Sequence, residues 1–383
     1  MLVDVLALFA LAAWLGVLLL PSGPWRTRER FTLQAIPNDP VATFDLSCVT
    51  VLIPARNEAG PIGRTLEGLA EQGENLEVIV VDDQSDDDTA AAASEANSGL
   101  GLPLNLRIID GQTLPAGWGG KLWALEQGFE WVERDYCLLL DAEIVLAPRV
   151  LGALIKKAED EDRAMISIMA KLHCKTFWEK LLVPPFIFFF KLLYPFAKVN
   201  DSNSRTAAAA GGCILIRTDV LRAIGRFAAI RDALIDDCIL AARVKLAGHS
   251  IWLGLSEEVL SLRAYTDFAS FRRMVTRTAF TQLRYSVGLL GLVIAIMSVI
   301  FVAPIAGLGF AAGPWGTVAG AGALSAMLVA FSPTVRFYRL SWGWVLTLPG
   351  AAMLFLVMTI ESAVKYWCGI KAQWKGRTYT KQP

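Results

Sequence analysis

The sequence predicts an α/β protein, a mixed and mostly parallel sheet carried between membrane helices at the two ends of the chain. Three observations lead there. Short β-branched runs alternate with helical stretches from Cys48 to about Tyr265, long apolar segments bracket that region, and acidic residues gather where the strands stop. A chain of 383 residues holds one catalytic domain plus membrane segments rather than several large soluble domains. Hydrophobic residues make up 54% and charged ones 19%, which is too apolar for an ordinary cytosolic enzyme, and the excess lies at the ends. Formal net charge is zero, so bulk charge gives no reason to expect a nucleic-acid partner.

Within the central region VTVLIPA, LEVIVVDD, LRIID, YCLLLDA, AMISIM and GCILIR read as strands bounded by Asn, Asp, Gly and Pro. Gly63 to Gln72 and Asp88 to Ala96 read as helices between them. Alternation of this kind predicts a parallel sheet with ligands at the carboxyl ends of its strands. The domain is expected over residues 45–285.

Residues 1–22 form the first membrane segment: Leu2 to Leu20 is almost wholly apolar, and Arg26, Arg28 and Arg30 follow at once. Trailing arginines place the downstream chain in the cytoplasm. A cleaved signal peptide is the rival, but its charges should precede the apolar run. Residues 286–366 hold three further stretches of spanning length, Val287 to about Ala312, Trp315 to about Phe331 and Trp344 to about Val364. Arg272, Arg273, Arg277 and Arg284 precede them. Three full spans would put the basic tail, residues 367–383, on the wrong side for a positive-inside protein. A re-entrant or interfacial segment is the way out, with Gly307 to Gly322 or the Pro349-Gly350 break as candidates. Phe177 to Phe196, with three prolines, reads either as buried core or, by preference, as an interfacial helix pair.

Six scattered cysteines without paired spacing read as reduced thiols. His173 and His249 are too far apart in sequence to suggest a zinc site, so any metal should be a hard cation on oxygen ligands.

The chemistry-bearing residues stand at strand exits. Asp82 and Asp83 end the second strand, where a carboxylate can accept hydrogen bonds from a base or ribose, while Asp86 to Thr89 reads as turn former and helix cap. Asp141-Ala-Glu143 follows YCLLL. In an extended segment residues two apart share a side, so both carboxylates are expected to converge on Mg²⁺ or Mn²⁺. Asp236 and Asp237, set between apolar residues, read either as an exposed helix-capping pair or as a general base with its orienting neighbour. Arg277, Arg284 and Trp374-Lys375-Gly376-Arg377 offer positive charge for a leaving diphosphate, with membrane-surface charge as the rival reading.

Taken in order, these motifs resemble the family 2 inverting glycosyltransferases of GT-A fold from about Val49 to Arg284. The resemblance implies a GT-A-type, Rossmann-like sheet and a nucleotide-sugar donor. PARNE (Pro54, Arg56, Glu58) and VVDDQSDDDT then look like nucleotide-binding segments, with Asp83 on the uracil or ribose. GWGGKLWAL places Lys121 near the diphosphate, DAE stands where the family has DxD, and LIDDC ends in the expected base, Asp237. The family's QxxRW becomes TQLRY, with Arg284 in register, and a single sugar transfer is favoured over polymer synthesis. GWGGKLWALEQG, LLLDAEI, ALIDDCILA, RTAFTQLRYS and WKGRTY are most similar to the hopene-associated glycosyltransferases. That likeness implies a lipid acceptor and a bacterial inner membrane. Transfer to a polyprenyl phosphate and a catalytically dead membrane scaffold are the rivals. The sugar and the oligomeric state stay unassigned.

Overall fold

The structure, a computed structural model, describes residues 1–33, 44–370 and 373–378. In chain order the elements begin with α1 (Leu2–Leu19), β1 (Arg30–Phe31), β2 (Val49–Ala55), α2 (Ala59–Ala70), β3 (Glu77–Asp82), α3 (Thr89–Ser98), β4 (Asn105–Asp110) and α4 (Gly120–Phe129). They continue with β5 (Tyr136–Leu140), β6 (Ile144–Leu146), α5 (Val150–Asp160), β7 (Met165–Lys171), α6 (Phe177–Leu193), α7 (Phe196–Asn200), β8 (Cys213–Arg217), α8 (Thr218–Ala223) and α9 (Asp236–Leu246). The last are β9 (Ile251–Ser261), α10 (Phe268–Gln282), α11 (Val287–Phe310), α12 (Pro314–Phe337), α13 (Leu348–Trp367), β10 (Gln373–Trp374) and β11 (Arg377–Thr378).

The chain divides into two compact units, and both are discontinuous in sequence. Residues 29–173, 198–263 and 371–383 make the catalytic unit; 1–28, 174–197 and 264–370 make the helical unit.

The catalytic unit is built on a nine-stranded sheet of order β1-β9-β7-β8-β5-β2-β3-β4, with β6 on the flank of β9. The expected GT-A-type α/β class holds. β5, β2, β3 and β4 run parallel, while β8 lies antiparallel between β5 and β7. Apolar residues of β2, β3 and β5 pack beneath α2, α3 and α5, with Val49, Val51, Ile53, Val78, Val80 and Leu138 excluded from solvent. Strands buried on both faces read as continuous apolar runs, which is how the sequence marks them. Pro54 sits in the middle of the sheet, where a missing N–H should cost a ladder bond. β5 pairs β2 only as far as Leu52, so the proline lies beyond that ladder.

The helical unit packs α1 against α11 and α12 around Trp14, whose ring meets Phe301 edge-on at 5.4 Å and whose Nε1 donates to the Ile300 carbonyl at 2.8 Å. Among the described residues four helical stretches are long and apolar enough to cross a membrane: Leu2–Leu19, Val287–Phe310, Pro314–Phe337 and Trp342–Trp367. Gly307 to Gly322, a candidate re-entrant break, is instead a short turn flanked by a close helix contact. A Cβ on Gly307 would stand 3.1 Å from the Gly320 Cα, so small residues let α11 and α12 approach. Pro349-Gly350 is a helix start, with proline in the first turn of α13 where its absent N–H costs nothing. Phe177 to Phe196 is mostly one helix rather than a pair: α6 opens with a capping box between Thr176 and Glu179 and accommodates Pro184 and Pro185.

α13 is held against its neighbours along its length. Ser362 Oγ accepts from the Phe280 amide at 3.1 Å and donates to the Thr276 carbonyl at 2.7 Å, and Glu361 pairs with Arg272 at 2.5 Å. Phe355 meets Phe189 and Phe271, and Trp344, just ahead of α13, meets Phe177 at 5.8 Å.

Candidate active site

Two loops at adjacent strand ends are laced together. After β2, the Arg56 Nη1 donates to the Asp83 carbonyl at 2.5 Å and also to the Gln84 carbonyl, and its Nη2 pairs with Asp86 at 3.2 Å. Asp87 does the capping work expected of Asp86 to Thr89: its carboxylate accepts from the Ala59 amide at 3.2 Å and the Thr89 amide at 3.1 Å, at the starts of α2 and α3. Arg56 therefore organises the loop after β3, and Asp83 at its head is fully buried. Burial pushes the Asp83 carboxyl up to about 6, against the pull of Arg377 and Arg56.

Arg377 arrives from the far end of the chain. β10 and β11 pair antiparallel, with Lys375 (φ 48) and Gly376 (φ 84) as the two central turn residues, the left-handed pair that a type I′ hairpin turn needs. Arg377 Nε lies 2.7 Å from Asp83 Oδ2, and its Nη2 donates to Asp83 Oδ1 at 3.0 Å and Gln84 Oε1 at 2.8 Å. Lys375 pairs with Glu58 at 2.7 Å, and its carbonyl accepts from Arg56 Nε at 3.0 Å. The indole of Trp374 rests on Gly120, where a Cβ would come within 2.9 Å of Cε3, so the glycine of GWGGK makes room for the hairpin. Sequence reading put Arg377 at a diphosphate; its partner here is the carboxylate expected to read the nucleoside.

The second half of the site centres on Gly211 and Gly212. Lys121, in the first turn of α4, pairs with Asp141 at 2.6 Å and donates to the Gly211 carbonyl at 3.3 Å. Asp237 Oδ2 accepts from the Gly211 amide at 2.9 Å, and the Asp141 amide donates to the Gly212 carbonyl at 3.0 Å. One glycine pair thus ties three of the expected residues together. A Cβ at Gly211 would stand 3.3 Å from Asp237 Oδ2 and 3.5 Å from Lys121 Nζ. Burial opposes the Lys121 charge, but Asp141, Asp236 and Asp237 outweigh it and hold the ammonium above its ordinary value. Burial, with Asp236 alongside, pushes Asp237 up to about 6, a value suited to taking a proton near neutrality.

The extended geometry expected of Asp141-Ala-Glu143 needs correction. β5 ends at Leu140, and the Ile144 amide donates to the Asp141 carbonyl at 2.9 Å, so Asp-Ala-Glu is a tight turn rather than extended chain. Glu143 pairs with Arg263 at 2.9 Å. Among the described residues no group of three or more His, Cys, Asp and Glu side chains is arranged to hold a metal. The donor chemistry still suits a hard cation: Asp141 keeps a third of its side chain exposed, and Mg²⁺ is commonly held by one or two carboxylates with substrate phosphates. Glu143 joins that set only when Arg263 lets go. Burial, with Asp141 and Glu58 nearby, pushes the Glu143 carboxyl up to about 7 against the pull of Arg263.

The catalytic unit therefore brings together Arg56, Glu58, Asp83, Lys121, Asp141, Glu143, Asp236, Asp237 and Arg377. Pro54 is buried within β2 and shapes the strand end. Arg284 belongs to the helical unit, exposed at φ 50 in the turn after α10. Arg263 and the Gly211-Gly212 pair were not among the expected site residues. Cys137, Cys213 and Cys238 are buried.

The chain is similar to several known proteins. The family described as Glycosyl transferase family 2 matches residues 50–225. The mannosyltransferase of Pyrobaculum calidifontis, solved with GDP-Man and Mn²⁺, is similar at 21% identity and TM-score 0.54, covering 95% of this chain and 99% of that one. Glucosyl-3-phosphoglycerate synthase from Mycobacterium tuberculosis, solved with Mg²⁺ and UDP, aligns at 14% identity and TM-score 0.41 over 61% of this chain and 78% of its own. No curated protein sequence matches the chain. That family model covers the stretch from β2 to α8, within a mixed, mostly parallel α/β sheet typical of the GT-A fold, and glycosyl transfer is the activity this match is consistent with.

Proposed function

We propose that this enzyme moves one sugar from a nucleoside diphosphate donor, UDP-linked by the resemblance of its loops, to a hydroxyl of a membrane lipid, with inversion. The observation that carries the reading is the meeting of Lys121, Asp141 and Asp237 on Gly211-Gly212. Asp237 accepts the acceptor's hydroxyl proton while that oxygen bonds to the anomeric carbon. The bond from that carbon to the diphosphate breaks, its electron pair leaves with the diphosphate oxygen, and Lys121 stabilises the departing charge. Mg²⁺ or Mn²⁺, held by Asp141 and by Glu143 once released from Arg263, would neutralise the diphosphate when bound. Asp83, Arg56, Glu58 and the WKGR hairpin form the nucleoside end. Asp236 raises the proton affinity of Asp237 and orients the acceptor.

The lipid acceptor follows from the helices and from the likeness to hopene-associated enzymes, which favours a hopanoid-type alcohol. The arginine clusters support a catalytic unit facing the cytoplasm at a bacterial inner membrane, the side on which nucleotide sugars are made. Because the chain leaves the catalytic unit after Arg263 and rejoins it at the terminal hairpin, an even number of crossings lies between. We assign them to α11 and α12, with α13 lying in the interface, as its Glu361 and Lys365 pairing favours. Lipid mass spectrometry of cells with and without the gene tests the acceptor: loss of a glycolipid supports the reading, and an unchanged lipid profile removes it.

A further inference from the structure

Lys245 stands in the last turn of α9, eight residues after Asp237. Lysines at helix ends ordinarily serve their own terminal carbonyls or extend into water. This one turns to another segment. Its Nζ donates to the carbonyls of Asp201 and Ser204 at 2.9 Å and Thr206 at 2.8 Å, with Lys198 at 3.3 Å. Two of these oxygens belong to the end of α7 and the turn beyond it. Ser204 and Thr206 lie further along the loop, so the contact exceeds a helix cap.

The same loop is gripped at its other end by the start of the same helix. Cys238 Sγ approaches the Ala209 carbonyl at 3.6 Å, and Asp237 Oδ2 takes the Gly211 amide at 2.9 Å. Between them Ser167 Oγ accepts from the Ala210 amide at 2.8 Å and donates to the Ala210 carbonyl at 3.1 Å. Eight residues of helix measure about 12 Å, and the five-residue step from Thr206 to Gly211 reaches at most about 17 Å. The loop therefore runs back along α9 with little slack, pinned at one end by Lys245 and at the other by the catalytic carboxylate.

We propose that Lys245 is a positioning residue for glycosyl transfer: by gathering the carbonyls of the Lys198–Thr206 segment it fixes the Ala209–Gly212 strip that aims Asp237 and Lys121. This rests on the assignment of Asp237 as the base. Nothing in the Lys245 contacts reaches Asp83, Arg56 or the terminal hairpin, so the nucleoside end should not sense its loss.

The test uses the full-length enzyme in lipid nanodiscs, the nucleotide sugar that wild type turns over fastest, and vesicles of total polar lipid as acceptor. Lys245→Met keeps the stem and removes the donors. Its expected result is a kcat lowered about tenfold, by misplacement of the reacting groups, with donor KM within about twofold. Lys245→Arg, which restores charged N–H donors, should recover at least half of the lost rate. A kcat within twofold of wild type, or a donor KM that rises in step with the lost rate, overturns the proposal. Should Lys245→Met not fold, by its thermal unfolding, Lys245→Gln replaces it under the same thresholds. Asp237→Asn is run in parallel: if it keeps full turnover, the base assignment fails, whatever Lys245 does.

Discussion

Arg377 and Asp83 are separated by most of the chain, yet the guanidinium engages both oxygens of the carboxylate, which is wholly shielded from solvent. A buried carboxylate that loses such a partner is left uncompensated. Arg377→Ala and Asp83→Ala are each expected to weaken UDP binding by about ten- to 150-fold, on the order of the 1.5–3 kcal/mol of a charged hydrogen bond. The double variant should lose little more than either single one. Calorimetry on all four proteins is the check, and additive losses would mean that the two residues act separately.

Asp237 leads to a pH prediction. Its carboxyl is pushed up to about 6 by burial and Asp236, and only the ionised form can take the acceptor proton. Turnover should fall as pH drops through about 6 and level off above it. In Asp237→Asn the rate should fall by about 10²- to 10⁴-fold while UDP affinity stays near wild type. A flat wild-type profile between pH 5 and 8 would contradict the base assignment.

Metal dependence has its own signature in Arg263. Because that side chain holds Glu143 and favours its ionised form, Arg263→Met, assayed well above pH 7 so that Glu143 stays ionised, should free a second carboxylate beside Asp141 and tighten Mn²⁺ binding in the presence of UDP. Asp141→Ala should weaken it. Electron paramagnetic resonance of free Mn²⁺ reads both without any turnover. Undiminished Mn²⁺ affinity in Asp141→Ala would remove that residue from the metal site, and full activity in excess chelator would remove the metal from the reaction.

Cys368 offers a native probe of topology. It is exposed just after α13, on the approach to a hairpin that belongs to the catalytic unit. An impermeant maleimide should leave it unmodified in intact spheroplasts and label it after lysis. Labelling from outside would require α13 to cross the membrane and would break the pairing scheme that brings Arg377 to Asp83.

The sheet was legible wherever its strands were short and continuously apolar, as in VTVLIPA or YCLLL. β9 was not, because Gly254 and the Glu257-Glu258 pair interrupt its pattern; Glu257 is accommodated by Lys171 at 2.7 Å, a partner far away in sequence. The acidic residues at strand ends were equally readable, and Asp83 and Asp141 do stand just past β3 and β5, whereas Asp237 lies in the first turn of α9. The geometry of Asp-Ala-Glu was misjudged for a local reason. The period-two rule holds only while a strand continues, and this one ends one residue earlier to let β6 pair with β9. Arg263 on Glu143 and Gly211 under Lys121 have no local signature, since each depends on sheet order rather than spacing.

The discontinuity of the catalytic unit also bears on how the protein is made. In synthesis order α1 and α6 precede the last strands of the sheet, and Trp374, Lys375 and Arg377 follow α13. A chain still short of Trp374 holds the Gly211–Asp237 contact but leaves the buried Asp83 carboxylate without the guanidinium of Arg377, so the two halves of the site mature at different stages of synthesis.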